Sequence, residues 1–140
     1  MFTKGQKVTH ISRWNNLGDF TYRDAIVYSC GKVRMVLTDA ITGEEIGRNF
    51  KPDGNTYGVI TIPQISDEEV FVMVAEMAKE WRENEESRLR HCLTIDASDA
   101  YKKAIQTQLD ELLNHVPVIM THQEAQEIVK NKVKKRLGRG

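Results

Sequence analysis

Two stretches of this 140-residue chain combine residue types that can hold a nucleic acid. RWNNLGDFTYR (13–23) sets Arg13 and Arg23 around Trp14, Phe20, Tyr22 and two asparagines. Aromatic rings stack on bases whatever their identity, and guanidinium groups reach phosphate oxygens. KNKVKKRLGRG (130–140) carries six cations and no acid. Such a run grips phosphates in a salt-dependent and sequence-tolerant way. The expected contact set is Arg13, Trp14, Tyr22 and Arg23 from the first stretch, with Lys130, Lys134, Lys135 and Arg136 from the second.

Each stretch also admits a structural explanation. Trp14, Phe20 and Tyr22 can alternate into a core while the arginines keep an edge soluble. Cations at a helix C-terminus offset the dipole by about 0.3–1 kcal/mol each, and Gly138 is a natural helix stop. Two cations would serve that purpose, and six are present. The basic helix could instead lie against acids of the first helix, Glu76 through Glu86.

Catalytic and metal chemistry find less support. The four histidines, His10, His91, His115 and His122, show no metal-ligand spacing, and a zinc site needs at least three placed ligands. His91 and Cys92 are neighbours on a helix and point apart. GEEIG (43–47) sits in a turn and strand rather than before a helix, so it is no phosphate loop. Glu83, Glu85 and Glu86 read as a solvated helix face. The expectation is therefore a non-enzyme with no cofactor or metal.

The elements that must position these residues fall into two halves. Val8, His10, Ile11 and Trp14 mark a first strand; FTYRDAIVYS (20–29), KVRMVLTD (32–39), EIGRNF (45–50) and YGVITI (57–62) follow. The alternation of Val33, Met35 and Leu37 against Arg34, Val36 and Thr38 has the period of a strand. Ser29-Cys30-Gly31, Thr42-Gly43-Glu44 and Pro52-Asp53-Gly54-Asn55 read as turns, with Gly31 free to take positive φ. Five short strands with turns between them predict a small antiparallel barrel over residues 1–63.

After Pro63 the period turns helical. Ser66 and Glu69 form a capping-box signature, followed by the stripe Val70, Phe71, Val74, Met77, Ala78, Trp81. A second helix starts near Ser98 and carries Tyr101, Ala104, Ile105, Leu109, Leu112 and Leu113, limited by Pro117. A third begins at Thr121, paired with Glu124, and carries Ala125, Ile128, Val129, Val133 and Leu137. The whole is α+β: a five-stranded barrel, then three helices over 64–140 that pack on the barrel or form a homodimer seam.

Charge is polarised along the chain. Residues 1–65 sum to +2, residues 66–113 to −6 and residues 114–140 to +4, so the zero net charge conceals an acidic middle and a basic end. With 40% hydrophobic and 29% charged residues the chain has the composition of a globular domain. The apolar stretches fall short of the roughly 18–20 residues a spanning helix needs. MFTKGQKV has no apolar signal core, and Cys30 and Cys92 lack metal spacing. A cytoplasmic protein with no membrane role is expected.

GQKVTHIS (5–12), DAIVYSCGKVRMVL (24–37) and EEIGRNF (44–50) resemble the small Src-homology-3-like barrels of the KOW and Tudor kind. Gly5, Val8, Ala25, Val27, Gly31, Val33 and Val36 carry the resemblance, which covers residues 4–62. Arg23-Asp24 stand where the family usually has a glycine. The resemblance implies binding of nucleic acid or a partner peptide through loops and one barrel face. The resulting expectation is a non-catalytic nucleic-acid-binding protein, with DNA ahead of RNA, in the style of small phage or mobile-element accessory proteins. The alternative is an interaction or inhibitor module whose acidic face blocks a host or partner protein.

Overall fold

The computed structural model describes residues 2–56 and 59–137. Strands β1 (Lys7–Arg13), β2 (Phe20–Cys30), β3 (Met35–Asp39), β4 (Glu45–Phe50), β5 (Asn55–Thr56) and β6 (Val59–Pro63) come first. Helices α1 (Asp67–Cys92) and α2 (Asp99–Asn114), strand β7 (Ile119–Thr121) and helix α3 (His122–Leu137) complete the chain. The sheet order is β4-β3-β2-β1-β6-β5, all antiparallel, with β7 added parallel to β2.

The expected closed barrel is corrected to an open sheet. Closure requires the outermost strands to pair, and β4 and β5 remain at opposite ends of the ladder. The pairing of β3 with β4 shifts register twice, at Met35/Leu37 and Leu37/Thr38, and such irregularities bend a strand out of line. Two local expectations also shift. Gly31 is absent from the glycines at positive φ, which are Gly5, Gly18, Gly43 and Gly54 among the described residues; β2 extends to Cys30 with a register shift against β3 between Val27 and Ser29, and β3 starts at Met35 rather than Lys32. Gly54 does need its freedom: at φ +81° its missing Cβ would lie 2.2 Å from the Thr61 carbonyl oxygen. Residues 57 and 58 of the expected last strand lie outside the described residues.

The strand period separates two faces. Ile11, Phe20 and Tyr22 point to one side and are buried against Val70, Val74 and Ala78 of α1. Each such apolar side chain contributes about 1.5–3 kcal/mol on burial. Val8, Ala25, Val27, Met35 and Leu37 point to the other side and pack with Phe2, Ile46 and Phe50. The 26-residue α1 begins at Ser66, whose capping box with Glu69 forms as the sequence predicts. Its first half covers the sheet. Its second half packs on α2 around Leu89, Ile105, Leu109 and Leu112.

The chain then returns to the sheet. Ser98 caps α2, and β7 pairs Phe20 with Ile119 and Tyr22 with Thr121 beyond the point where β3 runs out. Thr121 Oγ1 accepts from the Glu124 amide and fixes the start of α3. No described helix is long and apolar enough to cross a membrane.

Candidate nucleic-acid interface

The β1–β2 loop is held by its own polar groups. The Trp14 amide donates to the Asp19 carbonyl at 2.9 Å. Asn15 Oδ1 accepts from the amides of Leu17 and Asp19, and Asn15 Nδ2 donates to Asp19 Oδ2 at 2.8 Å. Gly18 takes φ +88°, and a Cβ there would come within 2.8 Å of Arg82 Cγ. The loop is therefore seated directly on α1.

Asp19 connects this loop to the far end of the chain. Its carboxylate is 3% exposed. It accepts from His115 Nε2 at 2.8 Å and from the Val118 amide at 2.8 Å. A carboxylate can only accept here, so His115 carries a proton on Nε2. Burial pushes the Asp19 carboxyl up, but the bonds from His115, Asn15 and Val118 outweigh it and hold its pKa below the ordinary value. Arg82 secures the same corner by donating to the carbonyls of Leu112 and His115 at 2.6 and 2.9 Å, capping the end of α2. With residues 115–118 pinned, β7 enters beside β2 and α3 follows across the sheet face opposite α1.

This route brings α3 against Trp14. Trp14 and Thr21 on the sheet side, with His122, Ala125, Gln126 and Lys130 on the helix side, line a groove of about 530 Å³. Trp14 is half-buried, so part of its ring remains accessible. Lys134 lines a smaller depression further along α3, with Glu127, Val129, Lys130 and Val133. Lys135 is exposed, and the Arg136 side chain lies outside the described residues. Among the described residues no ion pair engages Lys130, Lys134 or Lys135.

The remaining expected residues are placed elsewhere. Tyr22 is 7% exposed on the α1 face, edge-on to Phe71 at 6.2 Å. Burial and then the hydrogen-bonded Asp67 carboxylate raise its pKa. A ring so enclosed offers no surface to a base, which removes Tyr22 from the expected contact set. The Arg13 guanidinium stacks over Trp81 at 5.0 Å, on the α1 side, beside Glu85 and Arg88. Arg23 sits 3.5 Å from Asp39, whose carboxylate also accepts from the amides of Ile41 and Thr42.

A buried polar layer underlies the groove. His10 is 4% exposed, with Nδ1 3.2 Å from Thr61 Oγ1 and its ring edge-on to Phe50 at 4.9 Å. Burial, then the charges of Arg23 and His122, lower its pKa to about 4. His122 is lowered too, by burial and then by Arg23, partly offset by Asp39. Both imidazoles are thus neutral at pH 7 and able to accept as well as donate. Gln126 and His122 escaped the sequence reading because polar residues early in a helix look like solvated surface. The Asp19–His115 bond spans 96 positions and leaves no local signal.

The site thus gathers an accessible indole, neutral hydrogen-bonding groups and unpaired lysines, and among the described residues no His, Cys, Asp or Glu cluster converges as metal ligands do. No protein-family model, curated protein or solved structure matches the chain.

Proposed function

We propose that this chain is a non-catalytic nucleic-acid-binding protein whose contact is centred on the Trp14–Lys130 groove. One observation carries the reading: two residues singled out for base stacking and phosphate contact, 116 positions apart in sequence, line one groove. A base laid on the Trp14 indole gains about 1–3 kcal/mol. Lys130, Lys134 and Lys135 follow the backbone away from it along α3, and Gln126 and His122 reach base edges. Arg13 and Arg23 play secondary parts, being engaged by Trp81 and Asp39. A groove that takes a base off its stack favours single strands, and DNA is the expected ligand. A closed barrel of the KOW or Tudor type is not needed for this, because the groove is built by α3 on one face of an open sheet.

The test is fluorescence anisotropy with labelled single- and double-stranded DNA, and with RNA of the same sequence, at low and moderate salt. Full-length protein is compared with Trp14→Ala and with a chain ending at Asn131. Micromolar or tighter binding that weakens with salt, falls about tenfold with Trp14→Ala and falls again on truncation supports the reading. Intrinsic fluorescence of a Trp81→Phe variant, in which Trp14 alone reports, should be quenched by a bound base. No binding at low salt sinks the proposal.

A further inference from the structure

The outer part of α3 presents more than charge. Val129 and Val133, one turn apart, are 49% and 50% exposed, with Lys130, Lys132, Lys134 and Lys135 around them. Ala125 is the one buried residue among the described side chains of this helix. An apolar pair ringed by cations and left in water is a surface awaiting a partner.

Helix α1 is its electrostatic opposite, with eight Asp/Glu against four Lys/Arg. The two helices lie on opposite faces of the sheet, and among the described residues no ion pair joins the basic helix to Glu76 through Glu86. A groove of about 460 Å³ runs along α1 from Ala75 to Glu86, walled on the other side by Leu113, Pro117 and Ile119. Those three turns of α1 extend about 16 Å, enough to seat the two turns of α3 from Ile128 to Lys135. Ala75, Ala78, Leu112, Leu113, Pro117 and Ile119 make most of its lining apolar, with Glu83 and Glu86 beside them; Glu86 also pairs with Arg90 at 3.4 Å. Arg82 is turned inward onto carbonyl oxygens, so Lys79 is the one outward cation among the described lining residues.

We infer that α3 of one copy docks in the α1 groove of a second copy of this chain, with Val129 and Val133 against the apolar floor and Lys130 and Lys134, one turn apart on the same flank, at Glu83 and Glu86. The occupant is the same chain because helix and groove match in length, apolar content and opposite charge, and both stay exposed within one copy. The contact is head-to-tail, so it propagates or closes into a ring. It also uses lysines assigned to phosphates, so oligonucleotide and self-association compete.

Sedimentation velocity over a concentration series tests the inference on the full-length chain. At low salt the mass should rise above that of the 16.1 kDa monomer with concentration, and it should return to it as salt is added. E83K/E86K and K130E/K134E should each weaken association about tenfold or more, with circular dichroism confirming the fold. Mixed in equal amounts they should form a one-to-one complex, because the first supplies an intact helix and the second an intact groove. Combining all four reversals in one chain should restore self-association. A wild type that stays monomeric at low salt, association indifferent to both reversals, or a mixture that stays dissociated each overturns the inference.

Discussion

The two faces of the sheet are built from the same strands and do different work. On the α1 face, Ile11, Phe20 and Tyr22 meet Val70, Val74 and Ala78 in a buried apolar contact. On the α3 face, the apolar floor is confined to one end, and His10, Thr21, Arg23, Asp39 and Thr61 occupy the rest. Alternate residues of β1 and β2 face opposite sides, and both sides carry core, since Val8 and Ala25 are fully buried on the second. A substitution at Ile11 should act on folding alone, and one at the polar end of the α3 face should act on titration or ligand as well.

The sharpest way to break the comparison is Ile11→Ala. Ile11 is fully buried beneath α1, and the lost methyl groups plus the cavity should cost about 4 kcal/mol in a denaturant melt. The α3 face should reveal itself through pH instead. His10 is held to about 4 in the folded chain against 6.5 unfolded, so between those values the unfolded chain binds more protons. Stability should fall as pH drops from 6.5 to about 4, by on the order of 3 kcal/mol, and be constant above that window. His10→Asn should reduce the slope and leave the share that His122, lowered by burial and Arg23, contributes; an unchanged slope would place the titration elsewhere.

Asp19→Ala should cost about 2–3 kcal/mol, because it leaves the buried Val118 amide and the His115 ring without their acceptor. The depressed Asp19 carboxyl stabilises the fold above its ordinary pKa, and that share is lost as acid protonates it. The same variant should weaken oligonucleotide binding, since Asp19 sets where β7 and hence α3 begin. The smallest effect on folding should come from Lys134→Ala with Lys135→Ala. Both side chains are exposed, and the change in stability should stay within about 0.5 kcal/mol. Their loss should nevertheless reduce the salt dependence of DNA binding measurably. A melt shifted as far as that of Ile11→Ala would show that the arm is part of the core.

Local chemistry made the helices legible. Ser66 with Glu69, Ser98 and Thr121 each sit at a helix start, and caps are short-range signals. Alternation likewise located β1 to β4. It failed for β7, three residues after a proline whose partner strand lies about a hundred positions away, and for the open sheet, since closure depends on strands distant in sequence. The stripe rule also overreached on α3: Ile128, Val129 and Val133 have helical spacing but face water. In the site, Trp14 and Lys130 were legible as residue types. Their meeting was not, because it is set by Asp19 and His115 through a backbone path that no periodicity records.

The parallel docking of β7 on β2 also has a consequence in time. Residues 20–22 form near the start of synthesis, yet their outer neighbour is residues 119–121. Until those emerge, the first half of β2 has a bare edge, the α3 face has no helix over it, and the groove beside Trp14 does not exist. A nascent chain can assemble the α1 face early, but such sequence-distant pairing is slow to form. The groove beside Trp14 is therefore completed last, and a chain that ended before β7 would lack it.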